Sequence, residues 1–343
     1  MKSQIEILLD SNEPFYKQLV NNIQYLIESG IYKSGDFLPS LNDLAAELDI
    51  SKETVKKAYS LLRKRGVLES AHGKGYYVTN NGNGKIKILL LFDKLGTYKQ
   101  EMFNAFVKEL GTTAEIVIRL HNQDIVAFEE LLEDGLDHYD YYVITPHFPL
   151  TDKTQKKVLS IVGRIPNRKL ILLDHNLEHL PGNFGSIYQD YEEDTYLGLL
   201  QGLDTLKKFK KLNVISMAGS LYAPQIQKGI KKFCQDYGVP YEMHQEIVPS
   251  KIRENEAFLI LNGQLDEELI ELARVAKSKD YVIGKNIGII SYNDSPINEI
   301  ILDGLTALST NFQQMGELAG KMILEKSLKK IKCDYKLVRR NSF

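Results

Sequence analysis

"LPSLNDLAAELDISKETVKKAYSLL", Leu38 to Leu62, places two helix patterns on either side of one short polar break. Ser40 precedes Leu41, Leu44, Ala45 and Leu48, an N-cap followed by apolar residues at helical spacing. Ser51 opens a second helix with Val55, Ala58, Tyr59 and Leu62 as its apolar stripe and Lys52, Glu53 and Thr54 in its first turn. The first block has no basic residue; Lys52, Lys56 and Lys57 all fall in the second. A helix, short turn and helix lets the second helix enter the DNA major groove while the first crosses the backbone. Lysines and the helix N-terminus attract phosphate there, whereas small polar groups such as Ser40 and Asn42 suffice for the first helix.

"GVLESAHGKGYYVTN", Gly66 to Asn80, continues the pattern with strand-like Val67–Leu68, a tip at His72–Gly73–Lys74–Gly75 and strand-like Tyr76–Val78. Such a two-stranded wing can set its tip into a minor groove. From Ser51 to Gly75, seven basic residues (Lys52, Lys56, Lys57, Arg63, Lys64, Arg65, Lys74) face two acidic ones (Glu53, Glu69). The first 78 residues together balance ten against ten, so the positive charge is placed rather than abundant.

Residues 13–78 resemble the winged-helix domain of the gluconate-repressor (GntR) family of bacterial transcription factors. The resemblance rests on Pro14-Phe15-Tyr16 with Gln18-Leu19, the Gly30 and Gly35 turns, Leu38-Pro39-Ser40, Leu44-Ala45, Ser51, Thr54-Val55, Ala58-Tyr59, Gly66 and Gly73-Lys74-Gly75. It implies a DNA-binding set of Ser40, Asn42, Ser51, Lys52, Thr54, Lys56, Lys57, Tyr59, His72, Gly73 and Lys74. Asn42 and Lys52 stand where the family usually has Arg. Two bidentate guanine contacts are thereby lost, and Asn can read adenine instead, which points to an A·T-richer operator.

After a polar, Gly-rich linker, Thr79–Lys85, strand and helix patterns alternate. Strands are expected at 86–93, 114–118, 141–145, 169–173, 212–217, 241–247, 257–261 and 287–292. Helices are expected at 98–110, 126–133, 153–162, 191–206, 223–237, 266–276 and 312–325. Two such rounds make a two-lobed, doubly wound α/β body with ligand groups at the carboxyl ends of strands. This half resembles the periplasmic-binding-protein-like effector domain of the lactose/galactose-repressor family. The matching residues are Asp190 opening a helix, Ile289-Ile290-Ser291-Tyr292-Asn293-Asp294, Leu305-Thr306, Gln314-Met315-Gly316 with Ala319, and Leu337-Val338-Arg339 with Ser342. The combination resembles the arabinose-repressor branch. Its implied effector-binding residues are Asp93, Tyr98, His147, Asp174, Asn262 and Asn293. Ile226 replaces the family's usual Arg, and Leu308-Ser309-Thr310-Asn311 replaces its Thr-Thr…Gln-Pro run, so the pocket is altered.

The chain has 343 residues, enough for two domains, expected as 1–78, linker 79–85 and 86–343. Its net charge of −2 confines any nucleic-acid contact to a local patch. Cys234 and Cys333 form neither metal spacing nor a disulfide framework, which fits a cytoplasmic protein. No apolar run reaches membrane-spanning length. The reading is a homodimeric, ligand-responsive bacterial regulator with no catalytic residues, metal or cofactor. Its partners are double-stranded operator DNA and a sugar or sugar phosphate, and it acts as a repressor of carbohydrate-utilisation genes released by the sugar. The alternatives are an enzyme fused to a DNA-binding head, or an activator responding to a non-sugar metabolite. A Schiff-base lysine with phosphate loops, which an aminotransferase-like body would need, has no candidate.

Overall fold

The computed structural model describes residues 3–8, 11, 13–71, 74–79, 85–216, 221–261 and 267–343. It divides into two compact units, Met1–Lys87 and Ile88–Phe343.

The first unit is built on α1 (Phe15–Glu28), α2 (Leu41–Glu47) and α3 (Lys52–Lys64), followed by β1 (Leu68–Ala71) and β2 (Gly75–Val78). Ser40 and Ser51 cap α2 and α3 by accepting from the Asp43 and Thr54 amides at 3.2 and 3.1 Å. Leu44, Val55, Ala58, Tyr59 and Leu62 turn inward onto Leu19, Ile23 and Leu26 of α1. Gly66, at φ +74°, ends α3 in the left-handed conformation and lets Val67 turn back to the Leu62 carbonyl. β1 and β2 pair antiparallel, with Ala71 opposite Gly75. Phe37 bridges to Tyr77, which ties the α1–α2 connection to the hairpin. Ile5 is buried in the same core, so a segment ahead of the helices closes it.

The second unit has two lobes. Its first sheet has the order β13-β7-β6-β5-β3-β4, from β3 (Ile86–Phe92), β4 (Ala114–Leu120), β5 (Tyr141–Ile144), β6 (Leu170–Asp174), β7 (Gly185–Tyr188) and β13 (Lys330–Lys332). The second has the order β14-β12-β11-β10-β8-β9, from β8 (Lys211–Ile215), β9 (Tyr241–His244), β10 (Glu256–Ile260), β11 (Ile287–Tyr292), β12 (Thr306–Thr310) and β14 (Tyr335–Val338). Both orders start at an inner strand, step out one place and return, leaving a switch point beside β3 and beside β8. The inner strands are apolar runs, such as Ile88 to Phe92, because helices cover both faces.

The first lobe carries α4 (Thr97–Leu110), α5 (Ile125–Gly135), α6 (Asp152–Val162) and α11 (Phe312–Leu324). The second carries α7 (Tyr191–Gln201), α8 (Leu203–Leu206), α9 (Ala223–Tyr237) and α10 (Glu267–Ser278). The chain crosses between lobes after β7, after β12 and between β13 and β14. The single helix expected at 191–206 is interrupted: α7 stops at Gly202, the residue type that ends helices most readily, and one further turn follows. The strand expected at 212–217 ends at Ile215, and Met217 lies outside the described residues, as does Asp266 at the start of the helix expected there. The strand expected at 241–247 is shorter, ending at His244. Among the described residues no helix is long and apolar enough to cross a membrane.

Close helix packing within the body depends on glycine. A Cβ on Gly316 of α11 would lie 2.1 Å from the Met102 carbonyl oxygen of α4. Because that neighbour is backbone, Gly316→Ala is expected to lower body stability by about 1–3 kcal/mol or more, read as a lower urea midpoint. An unchanged midpoint would mean that the two helices part without penalty.

Candidate functional site

The head presents its polar face at the start of α3. Ser40, Asn42, Ser51, Lys52, Lys56 and Lys74 are exposed. Lys56 lies 3.5 Å from Glu53 in a solvent-facing pair that DNA can displace. Lys57 sits with its Nζ 3.8 Å from the centre of the Tyr16 ring, which holds it against α1. Thr54 shares its hydroxyl with Ser51 at 2.8 Å and is half-buried. Tyr59 departs from the expected contact set. It is fully buried, its hydroxyl donates to the Pro39 carbonyl at 3.0 Å, and its ring packs edge-on against Tyr76. Its place in the apolar stripe makes it a strut between the two helices and the wing. His72 and Gly73, expected at the wing tip, lie outside the described residues.

In the body, the carboxyl ends of the strands gather a buried polar chain. Asp93 follows β3, Thr145 and His147 follow β5, Asp174 ends β6 and Gln189 follows β7. Lys99, on the first turns of α4, is fully buried and ion-paired with Asp93 Oδ1. Thr145 Oγ1 donates to the same oxygen at 3.2 Å, and Gln123 donates to Oδ2 at 3.4 Å. His147 lies between the two carboxylates, Nδ1 3.8 Å from Asp93 and Nε2 3.2 Å from Asp174. Gln189 donates to Asp174 Oδ1 and accepts at 2.8 Å from the hydroxyl of Thr310, at the end of β12. The chain of contacts thus starts in one lobe and ends in the other.

Aromatic rings close over this chain. Tyr222 stacks on Tyr191 at 4.1 Å and 6°, and the rings of His147 and His175 approach it at 5.1 and 5.0 Å. Tyr98 packs on Phe312 at 4.5 Å. Burial, then Asp174, Tyr222 and Tyr292, push the Tyr98 hydroxyl well above its ordinary value. Burial alone would raise the Asp174 carboxyl, but the His147 ring 3.2 Å away, the Lys99 charge and the Gln189 amide outweigh it and hold it below its ordinary value. Burial lowers the Lys99 ammonium to about 8 against the pull of Asp174, so it stays protonated at neutral pH. Burial and Lys99 lower His147, and burial and His147 lower His175 to about 4, which leaves both neutral.

Several atoms here keep unfilled hydrogen-bonding capacity: Asp174 Oδ2 and His147 Nε2, close but not aligned, together with the Tyr222 hydroxyl and Asn293 Oδ1. Asp174 and Asn293 hold matching places, each ending the fourth strand in chain order of its lobe's switch arrangement, and both have positive φ, +72° and +66°. Non-glycine residues in that region cost backbone energy, and such positions concentrate where side chains meet ligands. Of the expected effector-binding residues, Asp93, His147 and Asp174 are brought together directly. Tyr98 lies in their field and Asn293 stands at the opposing strand end, whereas Asn262 lies outside the described residues. Lys99, Gln189, Tyr191 and Tyr222 were not anticipated.

The model of bacterial regulatory proteins of the gntR family matches residues 15–78. The HTH-type transcriptional repressor YtrA of Bacillus subtilis (strain 168) is 34% identical over 98 residues, covering 29% of this chain and 72% of that protein. The mannosyl-D-glycerate transport/metabolism system repressor MngR of Escherichia coli (strain K12) is 37% identical over 67 residues, 20% of this chain and 28% of that protein. Among solved structures, the lac repressor dimer bound to operator and the anti-inducer ONPF superimposes with a TM-score of 0.60 at 17% identity, covering 76% of this chain and 95% of that one. The body therefore has the lac-repressor fold. With its capped helix pair, wing and matching sequence, the chain belongs to the gntR family of bacterial regulatory proteins and is a DNA-binding transcription regulator.

Proposed function

We propose that this regulator is a ligand-responsive repressor of carbohydrate-utilisation genes, dimeric on its operator, and that a sugar bound between the lobes of the body releases the DNA. The observation that carries the reading is the buried polar chain at the strand carboxyl ends, with Asp174, His147, Tyr222 and Asn293 still able to take hydrogen bonds. Buried polar groups are normally paired, so unfilled ones at a lobe junction favour a polar ligand. The MngR name and the lac-repressor fold support a sugar-linked repressor. A single winged helix reads few base pairs, and two heads on half-sites about one turn apart raise specificity, which supports a dimer.

Ligand contact with both lobes favours one closed arrangement, and differential affinity for the two arrangements links the site to DNA. Linkage is reciprocal: a sugar that weakens operator binding must bind more weakly to the DNA-bound protein. The coupling expected is about 1–3 kcal/mol. Operator gel shifts with and without sugar test this. Lys52→Ala and Lys56→Ala should each weaken operator binding, by about tenfold for a contact worth ~1.4 kcal/mol, while sugar-induced thermal stabilisation persists. Asp174→Ala should keep sugar-free operator binding and lose the sugar response. Parent-like operator affinity in both lysine variants would remove α3 from the DNA contact, and an unaltered sugar response in Asp174→Ala would move the sensor elsewhere.

A further inference from the structure

The charges of this buried set bear on which ligand it could accept. Lys99 is committed to Asp93 inside the protein, and both are buried to within 1%. Asp174, equally buried, has only the Gln189 amide and His147 against it, so one lysine against two carboxylates leaves this set at −1 while its histidines are neutral. The segments that leave the carboxyl ends of β3, β5, β6, β7, β8, β10, β11 and β12 contain no arginine and one lysine, Lys94. Lys94 is exposed. That count includes 217–220 and 262–266, which contribute no basic residue and one acid, Asp266. The helix that follows Gln189 adds no attraction for an anion either. Asp190 caps it, and Glu192, Glu193 and Asp194 fill its first turn. A phosphate or carboxylate entering this set would meet the buried Asp174 charge, while the buried Lys99 is already paired with Asp93 and the nearby Arg340 with Asp294 at 2.9 Å. Hydroxyl or ammonium hydrogens would meet the open Asp174 Oδ2.

We propose that the effector is a non-anionic, donor-rich polyol, a free sugar or its amino derivative and not a sugar phosphate, with Asp174 taking its hydroxyl or ammonium hydrogens. This rests on the reading of the cleft as the sensor site.

The test is a thermal-shift and calorimetric panel on the full chain with matched triplets: glucose, glucosamine and glucose 6-phosphate, then the same set for galactose and for mannose, with ribose against ribose 5-phosphate. In any set that stabilises the protein, the free or amino sugar is expected to bind about tenfold or more tightly than its phosphate ester, a difference of ~1.4 kcal/mol or more. A glucosamine-type response above the parent sugar identifies the ammonium as the group on Asp174; the reverse order identifies the hydroxyls. Asp174→Asn should lose the response to the better ligand, with a melting curve that shows the body still folded. A phosphate ester that binds as well as or better than its free sugar overturns the proposal and leaves the sensor reading standing. Silence across the whole panel at millimolar concentration, with operator binding unmoved, overturns the sugar-sensor reading and the proposal with it.

Discussion

Lys99→Met is expected to cost the body about 3–5 kcal/mol at neutral pH, the range for breaking a buried ion pair from one side. The methionine fills nearly the same volume, so the loss is electrostatic. Asp93 keeps the Thr145 hydroxyl and a long contact from Gln123, but no cation, in a site only 1% exposed. Lys99→Met combined with Asp93→Asn should recover most of the loss, because the stranded charge is removed with its partner. Asp93→Asn alone should also be destabilising, since it leaves a buried ammonium with Asp174 as the nearest compensating carboxylate. Urea midpoints of the four proteins form a double-mutant cycle. A Lys99→Met variant as stable as the parent, or a double variant worse than both singles, would show that this pair is not what holds α4 to the end of β3.

Much of this site could be read from the chain, and the part that could not has a physical cause. Asp93 and Asp174 each follow a continuous apolar run and Asn293 a mostly apolar one broken by Ser291, the mark of strands covered on both faces, so their places at strand ends follow from local pattern. Lys99 has no such mark. A lysine in the first turns of an amphipathic helix reads as solvated, and only the return of α11 across α4 together with the β3 end encloses it. Gln189 follows β7, a four-residue strand whose Gly185 and Ser186 carry little strand signal, and its partner Thr310 lies 121 residues away. β13 and β14 are three and four residues long and exist as strands through pairing with β7 and β12. Short, non-local strands owe their stability to neighbours rather than to their own composition. Tyr59 shows the opposite case. Its position in the Val55–Ala58–Leu62 stripe marked it as core, whereas the family resemblance implied contact with DNA. The Pro39 carbonyl satisfies its hydroxyl from within.

The body is also expected to weaken on mild acidification through its buried histidines, with the burial-raised Glu101 and Asp194 carboxyls opposing in part. His121 is fully buried, stacked on Phe148 at 4.6 Å, and bonded through Nε2 to the Thr145 carbonyl at 3.2 Å, while Nδ1 is unfilled. Burial lowers its imidazole to about 4, with Lys99 and His147 adding to the effect and the Thr145 carbonyl opposing it. A free histidine titrates near 6.5. The unfolded chain therefore takes up a proton first as pH falls, and stability present above pH 6.5 is lost progressively until the folded state also protonates near 4. At ~1.4 kcal/mol per unit, His121 accounts for about 3 kcal/mol across that window. His175, lowered to about 4 mainly by burial but partly exposed, should add less, and His147 moves in the same direction. Asp174, held below its ordinary value, extends the loss below pH 3.8, a separate and lower range. His72 is the sole histidine of the first 87 residues, so the effect belongs to the body. His121→Gln keeps a neutral donor for Thr145 without a proton to gain. Urea midpoints followed by circular dichroism between pH 7 and pH 4 should fall steeply for the parent and more gently for this variant. Parallel curves would locate the acid sensitivity in other groups and leave the buried imidazole without thermodynamic weight.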